Sequence, residues 1–210
     1  TSLTGKVISG SSFVLLKSPI TTSSFLKISK NIFCPESREL SKQEYQRLVK
    51  TAFGKGNERL ALILETICCS GIRVSELPFI TVEAVLRGQA EVDCKGRIRT
   101  VLLTARLCER LMDYAKRKGI EEGKIFVTRS GNALDRSNIW REMKALGFEA
   151  QVGREKIFPH NLRHLFAKTY YGMTKDLSKL ADILGHKDIN TTRIYTIESG
   201  SKHRKQLENM

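Results

Sequence analysis

From residue 39 onward the apolar positions recur mostly at helical spacing, interrupted by one stretch of short β-branched runs. In "ELSKQEYQRLVKTA" Tyr45, Leu48 and Val49 share a face, and Ser41 with Glu44 three residues later predicts a capping box. "NERLALILETICCSG" predicts a second, more apolar helix, opened by Asn57 and stopped at Gly71, where a residue without Cβ takes a left-handed turn at little cost. Helical periodicity returns over Ala105–Lys118 and over Arg136–Leu146, the latter with Ser137 and Asn138 as candidate caps. "PHNLRHLFAKTYYG", "TKDLSKLADILGH" and a short run from Asn190 continue the helical pattern. Between Phe79 and Leu103 the pattern changes: "FITVEAVL", "QAEVDC" and "RIRTVLL" predict three short strands, the last two joined by a tight turn at Lys95–Gly96. The expected fold class is mainly α with a small antiparallel three-stranded β-sheet (α+β).

Residues 1–38 are dense in Ser and Thr and predict a leader or interdomain linker, leaving 39–210 as the folded domain. The 210 residues can bury one main core, and 40% hydrophobic content suits a globular protein. Charge narrows the partners: 36 Lys+Arg against 22 Asp+Glu leave +14, more than solubility requires, which points to a polyanion such as nucleic acid. A membrane fits less well, because there is no long apolar run and no helix that is basic on one face and apolar on the other. The 5 cysteines are odd in number and form no C-x-x-C pair, which implies a reducing compartment. No secretory signal opens the sequence, so the expected location is the cytoplasm.

Four short stretches carry candidate chemistry. In "HNLRH" a helix would put His160, Arg163 and His164 on one face, which suits an anion pocket better than an apolar core. The H-x-x-x-H spacing would also serve zinc, but Arg163 between the histidines repels a cation and no third ligand lies near. His164 is the weaker member, suited to a structural hydrogen bond. "SGIRVSEL" places Arg73 just past a helix stop with Glu76 three residues on, so that a carboxylate can hold a guanidinium aimed at phosphate oxygens. Lys95 occupies the turn between two strands, within reach of a groove. Tyr195, taken alone, is an amphipathic packing residue.

Together these residues describe one reaction. A phenol is a weak nucleophile at neutral pH, and cations or a neighbouring base can activate it. Arginines and histidines stabilise the charge that develops on an attacked phosphodiester, and Lys95 can supply the proton the leaving 5′ oxygen needs. No compact Asp/Glu group suited to two-metal phosphoryl transfer is evident.

From about Glu39 to Thr196 the chain resembles the catalytic domain of the tyrosine recombinases, the phage-integrase family, and especially the integrases of mobile elements. "SGIRVSEL" is similar to the first arginine box, which implies that Arg73 is a catalytic arginine supported by Glu76. "CKGRIRTVLL" resembles the β-hairpin lysine segment, which implies Lys95 as general acid, with Arg97 and Arg99 as alternatives. "PHNLRH" is similar to the His-x-x-Arg box and points to His160 and Arg163. "LGHKDINTTRIY" resembles the last box, with His186 at the His-or-Trp position and Tyr195 as nucleophile. The resemblance implies a 3′-phosphotyrosyl intermediate, strand exchange on double-stranded DNA without metal, ATP or other cofactor, and a homotetramer on two synapsed sites that is weak or monomeric without DNA. The helical core-binding domain of the family is expected to be absent or truncated, since residues 1–38 are too few for it. Competing readings are a type IB topoisomerase, a non-catalytic DNA-binding regulator on the same domain, and a metal-independent nuclease using His160 and His186.

Overall fold

The computed structural model describes residues 38–93, 96, 98–128, 131–132, 134–195 and 208. The Ser/Thr-rich leader, Lys95 and Arg97 lie outside the described residues. Helix α1 (Lys42–Gly54) opens with the anticipated capping box: Ser41 N–H donates to Glu44 Oε2 at 2.8 Å, and Glu44 N–H donates to Ser41 Oγ at 3.2 Å. Helix α2 (Glu58–Ser70) starts at Asn57, whose side chain accepts from Leu60 N–H, and ends at Gly71 in the left-handed region. It is the spine of the core. Leu60 through Leu64 and Ile67 are all buried, and α1, α4 (Ala105–Lys118), α5 (Arg136–Glu149) and α6 (Pro159–Thr174) pack around it.

The stretch 79–86 is not a strand. Val74–Phe79 forms a 3-10 turn and Val82–Leu86 a short helix, α3, capped by the Thr81 side chain, which accepts from Ala84 N–H at 3.1 Å. The β-branched content of this run favours a strand, but the Thr81 cap and burial of Val82, Ala84 and Val85 outweigh that preference. Thr81 keeps one antiparallel bridge, to Lys124. The sheet among the described residues is therefore a two-stranded antiparallel hairpin, β1 (Gln89–Asp93) with β2 (Ile98–Leu102), paired from Gln89–Leu102 to Asp93–Ile98. Its turn carries Gly96 at φ +75°, with Gly96 N–H donating to Asp93 Oδ1 at 2.9 Å. The cap of α5 is Asp135, so Ser137 and Asn138 fall inside its first turn, not ahead of it.

At the C-terminal end α7 (Leu177–Leu184) closes on Gly185 at φ +65°, and α8 (Ile189–Arg193) starts from Asp188, two residues ahead of the expected Asn190. A second, smaller core gathers Ala167, Leu180, Leu184 and Tyr195 under Phe166, Tyr170 and Tyr171. No helix among the described residues is long and apolar enough to cross a membrane.

Candidate active site

Gly71 ends α2, and two residues later Arg73 leads into the 3-10 turn. The main-chain N–H of Arg73 donates to Glu76 Oε2 at 2.8 Å, and its Nη1 donates to Oε1 at 2.8 Å. From the hairpin, Arg99 Nη2 donates to Glu76 Oε2 at 2.6 Å, while its Nη1 reaches the carbonyl of Ile183 at 2.9 Å. Glu76 is 3% exposed. Burial alone would raise its pKa, but the hydrogen bonds from Arg73 and the charge of Arg99 outweigh burial and hold it below the usual carboxylate value. One buried carboxylate thus joins the end of α2, the hairpin and the end of α7. Gly185 makes the last of these junctions possible: a Cβ there would collide with the Arg99 side chain.

Arg163 on α6 is 3% exposed. Its Nη1 donates to the carbonyl of Gly71, and its Nη2 donates to the carbonyl of Leu184 at 2.7 Å and meets His186 Nε2 at 3.1 Å. Those two carbonyls belong to the C-terminal ends of α2 and α7, where main-chain oxygens lack helical partners. Among the described residues this buried cation is held between two helix ends by carbonyls and not by a carboxylate. Burial, then Arg73, lowers its pKa to about 10, so it remains charged at neutral pH, and the neighbouring Tyr195 opposes that shift electrostatically.

His186, just past α7, also meets Thr192 Oγ1 through Nδ1 at 2.8 Å. Burial and then the charge of Arg163 push its pKa down to about 4. Along α6, His160 and His164 lie edge to face with centroids 4.9 Å apart, and His164 in turn meets the Tyr195 ring edge to face at 4.5 Å. The Tyr195 ring also stacks on His186 at 6.0 Å. Burial and then His160 push His164 down to about 4, while His160, on the exposed rim, is lowered by crowding and then by Arg163 and Arg73. Tyr195 follows α8 and is 3% exposed. Its ring belongs to the smaller core, and its hydroxyl is directed at Arg163.

An open cleft of about 680 Å³ runs in front of this cluster, lined by Arg73, His160 and Arg163 and, from α5, by Arg136, Trp140 and Arg141. Arg73 and Arg99 both pair with the carboxylate of Glu76, and Arg163 adds a third guanidinium close to those two arginines, so among the described residues the site has a surplus of positive charge suited to an anion. The pattern that describes the phage integrase family matches residues 38–201, spanning every residue of this cluster. The chain belongs to the phage integrase family.

Among similar proteins, the tyrosine recombinase XerC of Pseudomonas entomophila (strain L48) is 38% identical over 140 residues, 64% of this chain and 46% of that protein. The crystal structure of XerA recombinase superposes with a TM-score of 0.69 at 27% identity, covering 81% of this chain and 62% of the other. XerH site-specific recombinase bound to its difH substrate, before cleavage, gives 0.67 at 25% identity, covering 78% and 51%. The chain spans about half the length of the curated relatives it matches.

Within this integrase-family domain the structure brings Arg73, Glu76, His160, Arg163, His164, His186 and Tyr195 together, and Lys95 lies outside the described residues. His164 makes ring-edge contacts instead of the anticipated hydrogen bond among the described residues. Sequence reasoning gave Arg99 only as an alternative to Lys95; its guanidinium is instead committed to Glu76 and Ile183. Its placement opposite Val92 on the inner face of the hairpin was the available signal. Four further contributors were missed: Thr192 behind His186, the carbonyls of Gly71 and Leu184, and Asn161, which fastens α6 to the carbonyls of Arg38 and Lys156 at 2.8 Å each.

Proposed function

We propose that residues 39–210 form the catalytic domain of a site-specific DNA recombinase that cleaves and rejoins strands through a 3′-phosphotyrosyl intermediate. The observation that carries this reading is the packing of Tyr195 against His164 and against His186, which meets Arg163, while Arg163 lines a basic cleft with Arg73 and His160. In the proposed reaction the scissile phosphate enters the cleft and its non-bridging oxygens are met by Arg73 and Arg163. The phenol oxygen of Tyr195 forms a bond to phosphorus as the bond to the 5′ oxygen breaks. The phenol proton passes to the neutral imidazole of His160, and the 5′ oxygen takes its proton from Lys95. His186 supports Arg163 from behind, Glu76 holds Arg73, and His164 backs the nucleophile's ring. Rejoining reverses these transfers, with the phosphotyrosyl bond retaining the energy of the broken phosphodiester, so the scheme uses neither metal nor ATP.

The partner is double-stranded DNA. XerH, crystallised on its difH substrate, is a DNA-bound relative in fold and sequence that supports this assignment. Action as a homotetramer on two synapsed sites, in the cytoplasm and at the nucleoid, completes the proposal.

The test is incubation with a library of nicked suicide duplexes. Intact protein should form a covalent DNA adduct, and Tyr195→Phe, which keeps the buried ring, should fold normally and form none. Absence of any adduct would count against the recombinase reading, and relaxation of supercoiled plasmid without site preference would favour a type IB topoisomerase.

A further inference from the structure

The β-hairpin is anchored to the site near its turn. At its base Ala90 and Val101 are buried in the core. The last inward-facing pair before the turn is Val92 with Arg99. Beyond it Asp93 and Ile98 are exposed, and Gly96 N–H closes the turn on Asp93 Oδ1 at 2.9 Å. Val92 packs without directional preference, whereas the hydrogen bonds of Arg99 fix direction as well as distance. Its Nη2 donates to Glu76 Oε2 at 2.6 Å, and its Nη1 donates to the Ile183 carbonyl at 2.9 Å, in the last turn of α7. In sequence Lys95 stands between Asp93 and Gly96, four residues ahead of this anchor.

Two routes lead from Arg99 to a phosphate in the cleft, one through Glu76 to Arg73 and one through the hairpin to Lys95. The first has its own support. Arg73 gives Glu76 both its main-chain N–H and its Nη1, at 2.8 Å each, so that pair is complete within three residues. The turn end of the hairpin has no such duplicate, because without Arg99 its inner face retains only apolar packing. Nor is the seat of Arg99 optimal for stability: its Nε–H is buried and has no partner among the described residues, which is costly. An apolar side chain of similar length should therefore be tolerated there, since Glu76 keeps Arg73 as a partner.

We propose that Arg99 is a positioning residue for the leaving-group proton: by tying β2 to Glu76 and to the end of α7, it sets the Lys95 turn relative to Arg73 and to the segment that carries His186 and Tyr195. Its effect on rate runs through the hairpin and not through Arg73. The proposal rests on the recombinase reading and on Lys95 as the proton donor. Nucleophile and proton donor act at opposite ends of one displacement at phosphorus, so a rigid tie between their carriers serves the reaction.

A duplex with sulfur in place of the bridging 5′ oxygen separates the two routes, because the sulfur departs as a thiolate and needs no proton. With the intact chain and an ordinary nicked suicide duplex that the native protein cleaves, Arg99→Met should slow adduct formation by about 10-fold or more, since misplacing a catalytic group is costly. On the sulfur duplex Arg99→Met and Lys95→Ala should both come within about 3-fold of native, because general-acid catalysis is no longer needed. Adding Arg99→Met to Lys95→Ala should bring no further loss on the ordinary duplex, as expected of two groups acting as one. Arg99→Lys, which puts a single nitrogen where the guanidinium used two, should show a smaller defect with the same rescue, and it replaces Arg99→Met if that variant does not fold. A defect that persists on the sulfur duplex while Lys95→Ala is rescued overturns the proposal and assigns Arg99 to the Arg73 route. A native rate for Arg99→Met on the ordinary duplex overturns it as well. If Lys95→Ala is not rescued, Lys95 is not the donor and the proposal falls with that assignment. Absence of any adduct from the native protein is instead the failure of the recombinase reading, and it takes the proposal with it.

Discussion

Three residues of the site, Arg163, His164 and His186, are charged or chargeable and yet largely withdrawn from water, and they are accommodated in two ways. Arg163 keeps its charge because helix-end carbonyls accept from it. The two histidines instead give up theirs: both are pushed to about 4 by burial and neighbouring cationic or imidazole groups. This has a definite sign for stability. The unfolded imidazoles titrate near 6.5, so between 6.5 and 4 the unfolded chain binds protons that the folded chain refuses. Stability is fully present above 6.5 and is lost as pH falls toward 4, on the order of 2 kcal/mol for each ring. Urea denaturation across that window should show the loss, and His164→Phe should remove about half of the slope. A stability that is flat from pH 7 to 4 would contradict the buried, neutral assignment.

At the scale of elements, the site is assembled from helix ends. The stops of α2 and α7, at Gly71 and Gly185, both take left-handed φ, and both present a carbonyl from their last turn or cap to Arg163. Gly185 has a second duty, because the Arg99 side chain from β2 passes over its Cα. Gly185→Ala should therefore cost more than the left-handed strain alone, about 3 kcal/mol against the 1–2 kcal/mol of strain. Gly119→Ala is the internal reference: it has φ +66° with no atom within 4 Å of the added methyl. Thermal melts of the two variants should separate them, and equal losses would mean that Arg99 does not occupy that space in solution. The hairpin is legible in sequence at this scale, with Gly96 turning where expected. The run 79–86 is not, because β-branched residues in a five-residue helix are indistinguishable by periodicity from a short strand.

For the molecule as a whole, +14 of net charge and a cleft rimmed by Arg73, Arg136, Arg141 and Arg163 predict DNA binding governed by phosphate contacts. Each neutralised phosphate contributes a slope of roughly −0.9 in log K against log salt, so four contacts should weaken binding about 100-fold between 50 and 200 mM salt. Fluorescence anisotropy with a labelled duplex at several salt concentrations measures this, and substituting Arg136 and Arg141 together should flatten the slope by roughly 2 without removing the site cluster. Affinity independent of salt would place the duplex elsewhere than the cleft.

What the sequence determined by itself was local: the caps at Ser41 and Asn57, the glycine stops, the hairpin turn, and the order and spacing of Arg73, His160, Arg163, His186 and Tyr195. These follow from interactions within a few residues, which leave periodic or positional marks. What only the tertiary structure decided was how the groups are held. Nothing local marks the Gly71 and Leu184 carbonyls as partners of Arg163, which are 92 and 21 residues away in sequence. Nor does anything local reveal that Arg99 turns inward to Glu76, or that Thr192 closes on His186. Tyr195 shows both sides of this division. The motif singled out its hydroxyl, and its ring nonetheless belongs to a core, because burying an aromatic face against two histidines is what aims the oxygen at Arg163.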